Sequence, residues 1–375
     1  MKKIILSVTI IFCVFSSLLG QTDKIDNYIK LEMSKRHIPG LSIAVVKNGK
    51  IIKSKGYGLA NIELNVSAQP KTVYPIFSMT KQFTAAAIML LVEEGKISLD
   101  DNINKYILGL PFLWSAITVR HLLTHTSGIK DWGEDTADTA SNWRNLMKEL
   151  RKKTNTSDKV SGFALHFQPG EKMQYCNRGY ALLGLIIENV SGKAYKDFVH
   201  DRIFHPLHMD VTRMNILEDI IPNRAAGYIL QNNILTNVQP DVPFSDGGLI
   251  STVIDLANWD AALYTEKILK RSSLEQMWTP AKLNNGEKGI SLFNNYYGFG
   301  WFLGEMNGHK YVDHAGSGLG FTSEIIRFVN DKLSVIVLTN RGADDFLSAD
   351  APRPWDIAKG VASFYLHPNN NNKTK

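Results

Sequence analysis

Ser78 and Lys81 stand three residues apart at the head of a run of good helix formers, Gln82 to Glu94, that stops at Gly95. A serine hydroxyl is a poor nucleophile at neutral pH and needs a base within hydrogen-bond reach. On a helix the lysine lies one turn along on the same face. The positive end of the helix dipole disfavours a second cation there. One turn can therefore present a nucleophile, a base with a lowered pKa and a backbone N–H for an oxyanion. Ser-x-x-Lys is expected about once or twice by chance in a chain this long. Ser127-Gly128-Ile129-Lys130 is such a second match, but Gly128 breaks it and it reads as a turn.

A serine–lysine pair also needs polar groups that hold an amide or ester in place, plus a second oxyanion donor. Tyr175-Cys176-Asn177 is the only Tyr-x-Asn in the chain, and His314-Ala315-Gly316 the only His-x-Gly. An extended backbone at the first motif sends Tyr175 and Asn177 to one side and packs Cys176 on the other. The second motif ends a predicted strand, where Gly316 would let a substrate approach the backbone closely. His125, in His-Thr-Ser-Gly, reads as a structural residue in a loop under the site. There is no His-Glu-x-x-His and no Cys/His cluster, so neither metal nor other cofactor is expected. The absence of Gly-x-Ser-x-Gly argues against an α/β-hydrolase.

The order Ser-x-x-Lys, Tyr-x-Asn, His-x-Gly resembles the class C β-lactamase-like serine hydrolases, which include penicillin-binding DD-peptidases, D-aminopeptidases and esterases. Leu122 to Gly128, Phe167 to Gly170, Gly247 to Thr252 and Gly318 to Phe321 add to the likeness, which covers roughly residues 25–365. The resemblance implies Ser78 as the acylated nucleophile, with Lys81 and Tyr175 sharing the proton work. It implies that Asn177 binds Lys81 and the substrate amide. The backbone N–H groups of Ser78 and Ser317 would form the oxyanion hole, with Gly316 beside them. His314 would orient Tyr175 and a substrate carboxylate. Relatives usually carry Lys-Thr-Gly where this chain has His314-Ala315-Gly316. A histidine is mostly neutral at pH 7, so carboxylate recognition should be weaker and pH-dependent. That points toward the peptidase and esterase branches. His208, where relatives often have glycine, is expected to be a surface change.

These residues need a scaffold. The chain has 375 residues, 44% hydrophobic and 21% charged, which is ordinary globular composition and enough to bury a core. Asn48-Gly49, Asn307-Gly308 and Asn330-Asp331 lie between β-prone runs and mark three hairpins near the two ends of the sequence. Helical runs fill the middle: 77–94, 141–152, 180–190, 195–203 and 253–263, with a last one over 355–366. Thr252 and Asp255 read as a capping box for the 253–263 helix. The expected fold is α+β: an antiparallel sheet from N- and C-terminal segments, flanked by helices, with an inserted mainly helical lobe and the site at the junction. The polar segment 131–159 reads as a solvated excursion.

Lys2 and Lys3 precede an apolar stretch, Ile4 to Leu19, that ends at Gly20-Gln21. This is the layout of a signal peptide over 1–20, with 21–366 as the hydrolase domain and 367–375 as a disordered tail. An uncleaved membrane anchor is the alternative. Removing it lowers the net charge from +6 to +4 and leaves Cys176 as the one cysteine, so no internal disulfide forms. No basic block with interleaved aromatics points to nucleic acid. The expected protein is a periplasmic or secreted monomer acting on small amides, esters, D-amino-acid peptides or β-lactams. A carboxylesterase, or a non-catalytic wall-fragment binder on the same fold, is the competing expectation.

Overall fold

In the computed structural model of the protein, the described residues are 24–131, 147, 148, 150, 164–240, 243–291, 294–342 and 351–367. The expected signal peptide over 1–20, the expected tail over 367–375 apart from His367, and most of the run 141–152 expected to be helical lie outside them. Met147, Lys148 and Leu150 of that run are described, and they are helical.

The main sheet has eight antiparallel strands: β1 (Gly40–Lys47), β2 (Lys50–Asn61), β3 (Val66–Ser67), β4 (Tyr296–Tyr297), β5 (Phe302–Met306), β6 (His309–Gly318), β7 (Phe321–Phe328) and β8 (Leu333–Thr339). Their spatial order is β3-β2-β1-β8-β7-β6-β5-β4. N-terminal β1 thus pairs with C-terminal β8, Ser42 opposite Leu338 and Ala44 opposite Ile336, and the sheet closes the chain on itself. Asn48 and Gly49 both have positive φ, as do Asn307 and Gly308. That is the two-residue turn whose twist matches a hairpin.

Both faces of the central strands are covered. Ile43, Val45, Ile326, Val335 and Val337 pack against the helix over 24–35 and against Pro354–Ser363. Ala44, Val46, Ile325, Ile336 and Leu338 face the helical lobe. With no face in water, β8 reads as an unbroken buried run instead of an alternating one. The lobe's central helix, Thr80–Glu93, is buried at every residue from Thr80 to Leu91. A helix with no solvent face cannot rotate about its axis without moving apolar area into water, at about 25 cal/mol per Å². Its first turn is thereby fixed against β6. The fold is α+β, with the helical lobe inserted between the strand-forming ends.

Two local expectations change. Thr252 caps its helix by accepting the Asp255 N–H at 3.1 Å, but the Asp255 carboxylate does not reach back. It accepts from Val211 N, Thr212 N and Thr212 Oγ1 instead, tying the helix to a neighbouring loop. The run predicted as one helix over 195–203 is an α-helix over Tyr195–Val199 that widens into a π-helical turn at His200–Phe204. His208 sits on the surface at φ +54°, a conformation glycine adopts without strain.

Candidate active site

Ser78 lies in a 3-10 turn, Phe77–Met79, that leads directly into the Thr80–Glu93 helix. Phe77 has φ +44°, a left-handed conformation that is a genuine outlier for a bulky residue. Contacts to β7 and to the separate short strand Leu249–Ser251 hold it there. The Ile76 carbonyl accepts from Ser323 Oγ at 2.9 Å, and Ile76 N–H donates to the Leu249 carbonyl at 3.0 Å. A Cβ on Gly316 would meet Ile76 O at 2.0 Å, and one on Gly318 would meet the Phe77 ring at 2.3 Å. This corrects the reading of His-x-Gly. Its glycine makes room for the turn that carries Ser78, and a side chain there would push the nucleophile off the strand.

Lys81 is completely buried. Its ammonium nitrogen lies 3.1 Å from Ser78 Oγ, 2.7 Å from Asn177 Oδ1 and 2.7 Å from the Asp246 carbonyl. Every direct acceptor is neutral. Burial lowers its pKa to about 8, opposed by the more distant charges of Asp246 and Asp131. The depression therefore comes first from desolvation, not from the helix dipole.

Tyr175 and Asn177 straddle Cys176, whose extended backbone (φ −143°, ψ 109°) caps the Asn177–Ser191 helix. The Cys176 side chain is buried in the core, and burial pushes its thiol up. The Tyr175 ring stands 4.9 Å from Lys81 Nζ. Its hydroxyl is sealed from solvent and makes no hydrogen bond. Burial raises its pKa well above the phenol range, and the nearby Ser78 hydroxyl opposes this only in part. A Tyr175 phenolate is disfavoured at neutral pH.

His314 is placed differently from the expectation. It is buried, with Nδ1 2.6 Å from the Ala315 carbonyl and Nε2 3.0 Å from the Tyr297 hydroxyl. Nδ1–H must donate to the carbonyl, so Nε2 accepts from the phenol. Both nitrogens are engaged within the protein, and neither bonds Tyr175. Burial, helped by Lys81, lowers its pKa to about 3. The ring is neutral throughout the working range, so the expected contact with a substrate carboxylate and a titration near neutrality do not fit. Ala315 to Gly318 of the same strand run past the end of β5, whose pairing with β6 stops at Phe302 opposite Asp313. That backbone edge, Ser317 included, is left without a strand partner on one side.

Two carboxylates escaped the motif reading. Asp131 accepts from Asn177 N and from Asn177 Nδ2, both at 2.8 Å, and from Arg178 N at 3.3 Å. It therefore holds the positive end of the Asn177–Ser191 helix and fixes which end of the Asn177 amide faces Lys81. Asp246 offers its carbonyl to Lys81, while its buried carboxylate accepts from Phe244 N at 3.1 Å. Burial raises the Asp246 pKa, with Lys81 opposing. Asp131 lies three residues beyond the Leu122–Gly128 stretch and Asp246 directly precedes Gly247-Gly248, so nearness to quoted stretches was the available signal. His125, at φ +58°, accepts the Cys176 N–H on Nδ1 at 3.0 Å. Its ring lies 4.2 Å from that of Tyr175 and 4.6 Å from that of Tyr297. Among the described residues, no group of three or more His, Cys, Asp or Glu side chains could hold a metal ion.

The comparisons with known proteins bear on the family and the fold. The family model described as Beta-lactamase matches residues 25–359. Protein flp of Staphylococcus aureus (strain N315) is 31% identical over 328 residues, covering 86% of this chain. The match takes in 63% of flp, so the chain spans less than two thirds of that relative's length. The octameric penicillin-binding protein homologue from Pyrococcus abyssi has a TM-score of 0.75 and 32% identity, over 94% of this chain and 79% of that one. The D-amino acid amidase from Ochrobactrum anthropi SV3, seen with L-phenylalanine amide, has a TM-score of 0.74 and 25% identity, over 92% and 98%. With a serine, a buried lysine, a tyrosine and an asparagine gathered at the junction of sheet and lobe, the chain belongs to the Beta-lactamase family.

Proposed function

We propose that the protein is a serine hydrolase that cleaves amide or ester bonds through an acyl-enzyme on Ser78. The observation that carries the reading is the Lys81 amine, buried among neutral acceptors and 3.1 Å from Ser78 Oγ. A pKa of about 8 leaves a usable fraction of neutral amine near pH 7. Lys81 takes the Ser78 proton as Oγ bonds to the substrate carbonyl carbon, and the carbonyl electron pair moves to oxygen. The N–H groups of Ser78 and Ser317 receive that oxyanion. When it collapses, the bond to the leaving amine or alcohol breaks, and the leaving group takes a proton from the Tyr175 hydroxyl. Lys81 returns the proton to Tyr175. Water then repeats the sequence on the acyl-enzyme and frees the acid. The raised Tyr175 pKa favours the neutral lysine over a phenolate as base.

The substrate class follows from His314. A neutral, fully engaged imidazole offers no cation to a substrate carboxylate. Amides and esters of D-amino acids or short D-amino-acid peptides therefore fit better than β-lactams or peptides ending in a free carboxylate near this strand. The amidase among the solved relatives adds to this reading. The test is labelling with a fluorophosphonate and a fluorescent penicillin, followed by turnover of D-alanine amide, a D-Ala-D-Ala peptide and p-nitrophenyl acetate. We expect a label on the peptide containing Ser78 and faster turnover of the amide than of the carboxylate-ended peptide. Labelling that persists in Ser78→Ala would overturn the nucleophile. We further propose export by the first twenty residues, checked by the N-terminus of the mature protein, and a monomeric state, checked by light scattering because one relative is octameric.

A further inference from the structure

Behind the catalytic strand lies a cavity of about 390 Å³, lined by Phe302, Asp313, Ala315, Glu324, Trp355 and Lys359 among others. It opens on the sheet face opposite the catalytic residues, under the N-terminal turn of Pro354–Ser363. Its volume is in the range of small-molecule sites.

Two carboxylates dominate its wall. Glu324 is 1% exposed and neither of its oxygens has a hydrogen-bond partner; Asp313 is 7% exposed and its Oδ1 has none. A buried unpaired carboxylate costs several kcal/mol unless a proton or a cation meets it. Burial accordingly raises Asp313 to about 6, and burial with the charge of Asp313 raises Glu324 well above the carboxylate range, Lys359 opposing both only in part. Lys359 acts on them through space without contact. Lys359 sits over the Tyr311 ring at 4.9 Å, and no ion pair joins it to either acid among the described residues. Asp356, on the same wall, is engaged by Arg36 at 3.1 Å. Two acids share one lysine, so Glu324 is held in its protonated form until a second cation reaches it, beside the aromatic rings of Phe302 and Trp355.

The cavity shares its boundary with the catalytic cleft. The Phe302 ring stacks parallel to that of Tyr175 at 6.2 Å and lies 5.1 Å from His314. Ala315 lies on the β6 edge that β5 leaves uncovered, and Glu324 stands opposite it across the β6–β7 ladder, one strand further in. At about 3.3 Å per residue, Ala315 and Asp313 lie roughly 7 and 13 Å along the strand from Ser317.

We propose that this cavity is an accessory subsite that takes a primary ammonium carried on a flexible arm of the substrate, with Glu324 and Asp313 as its counter-ions. Apolar methylenes of the arm pass Phe302 and Ala315, and the ammonium satisfies the orphaned carboxylate oxygens. This deepens the hydrolase reading and rests on it for the word substrate, but not for the binding itself.

The probe is n-hexylammonium, with n-hexanol as the uncharged control of the same length. Calorimetric titration uses the Ser78→Ala protein, so binding is read without turnover. We expect hexylammonium to bind at least tenfold more tightly than hexanol. Glu324→Gln, which keeps shape and removes charge, should reduce the amine to the level of the alcohol. Lys359→Met, which removes the competing cation, should tighten amine binding severalfold. A merely structural Glu324 would weaken the amine and the alcohol alike instead of the amine alone. In the wild type, hexylammonium should compete with p-nitrophenyl acetate, and Glu324→Gln should hydrolyse that neutral ester at nearly the wild-type rate. Equal affinities for amine and alcohol, an unchanged affinity in Glu324→Gln, or tight binding without competition would each overturn the subsite. A protein that turns over no ester but still shows the calorimetric pattern would overturn the hydrolase reading and leave the ammonium site standing.

Discussion

Arg327 and Lys81 each show no exposure to solvent, and they are housed in opposite ways. Arg327 on β7 forms an ion pair with the equally buried Asp260 at 2.5 Å, and Ser334 Oγ donates to the same carboxylate oxygen at 2.6 Å. The Tyr264, Trp278 and Trp301 rings surround the guanidinium, with centroids at 4.7, 5.2 and 5.8 Å. Lys81 has no carboxylate in contact. Its partners are a hydroxyl, an amide oxygen and a peptide carbonyl, with Asp131 and Asp246 acting only through space. The first cation is neutralised locally by a carboxylate in contact. The second is solvated by dipoles alone, so its charged form is disfavoured and the proton is available for transfer. The direct contact of one carboxylate separates a structural cation from a base.

Removing each cation should therefore break different properties. Lys81→Met is expected to lower kcat/KM for p-nitrophenyl acetate by roughly 10²- to 10⁴-fold, the usual contribution of a positioned base, while unfolding in urea remains cooperative. Arg327→Met is expected to cost about 3–5 kcal/mol of stability, because Asp260 is left buried without its counter-charge. Folded Arg327→Met should keep nearly wild-type kcat/KM. If that variant fails to fold, adding Asp260→Leu should recover most of the loss, since a buried ion pair replaced by apolar groups is close to neutral. A stability loss in Lys81→Met as large as in Arg327→Met would collapse the distinction.

The pH profile sharpens the same contrast. If neutral Lys81 is the base, kcat/KM rises about tenfold per pH unit and levels above its pKa, about 8. The Asp131 carboxylate stabilises the ammonium form, so its removal lowers that pKa. Asp131→Asn also sets an NH₂ group against Asn177 Nδ2, which turns the Asn177 amide and takes its oxygen away from Lys81. The midpoint should move to lower pH by about one unit. A midpoint that stays in place would mean that Asp131 serves only the helix terminus.

How legible this contrast is in the sequence depends on range. The Asn-Gly turns and the glycine after Glu94 act within a few residues, and they mark the hairpins and the end of the central helix. Ser78, Lys81, Tyr175, Asn177 and His314 are each flagged by spacing within a short motif. Asp131 and Asp246 belong to no motif, and they reach the site only because the lobe folds back on the Thr80–Glu93 helix. The desolvation of Lys81 is likewise a property of what surrounds it. Gly316 shows how a local rule can name the right residue for the wrong reason: the close approach it permits is that of the Ile76-Phe77 turn, which sequence distance conceals. The pairing of Arg327 with Asp260, sixty-seven residues apart, had no local signature either.

His314 gives the smallest effect and the cleanest check on how neutral dipoles surround Lys81. Because Nδ1–H is given to Ala315 and Nε2 accepts from Tyr297, the imidazole contributes no charge to the site until pH falls to about 3. Wild-type kcat/KM should show no inflection near pH 6.5, and His314→Gln should reproduce the shape of the profile. The residue does leave a signature in stability. An unfolded histidine binds a proton below about 6.5, whereas the folded one stays neutral down to about 3. The unfolded state therefore binds more protons in that window, and stability is present above it and is lost as pH falls through it. Between pH 6.5 and 5.5 one such group accounts for about 1 kcal/mol. Urea unfolding of His314→Gln should lose that much less over the same interval than the wild type. An inflection near 6.5 in the wild-type rate that disappears in His314→Gln would put a second titrating group beside Lys81, and the lysine would no longer be a base held by neutral partners alone.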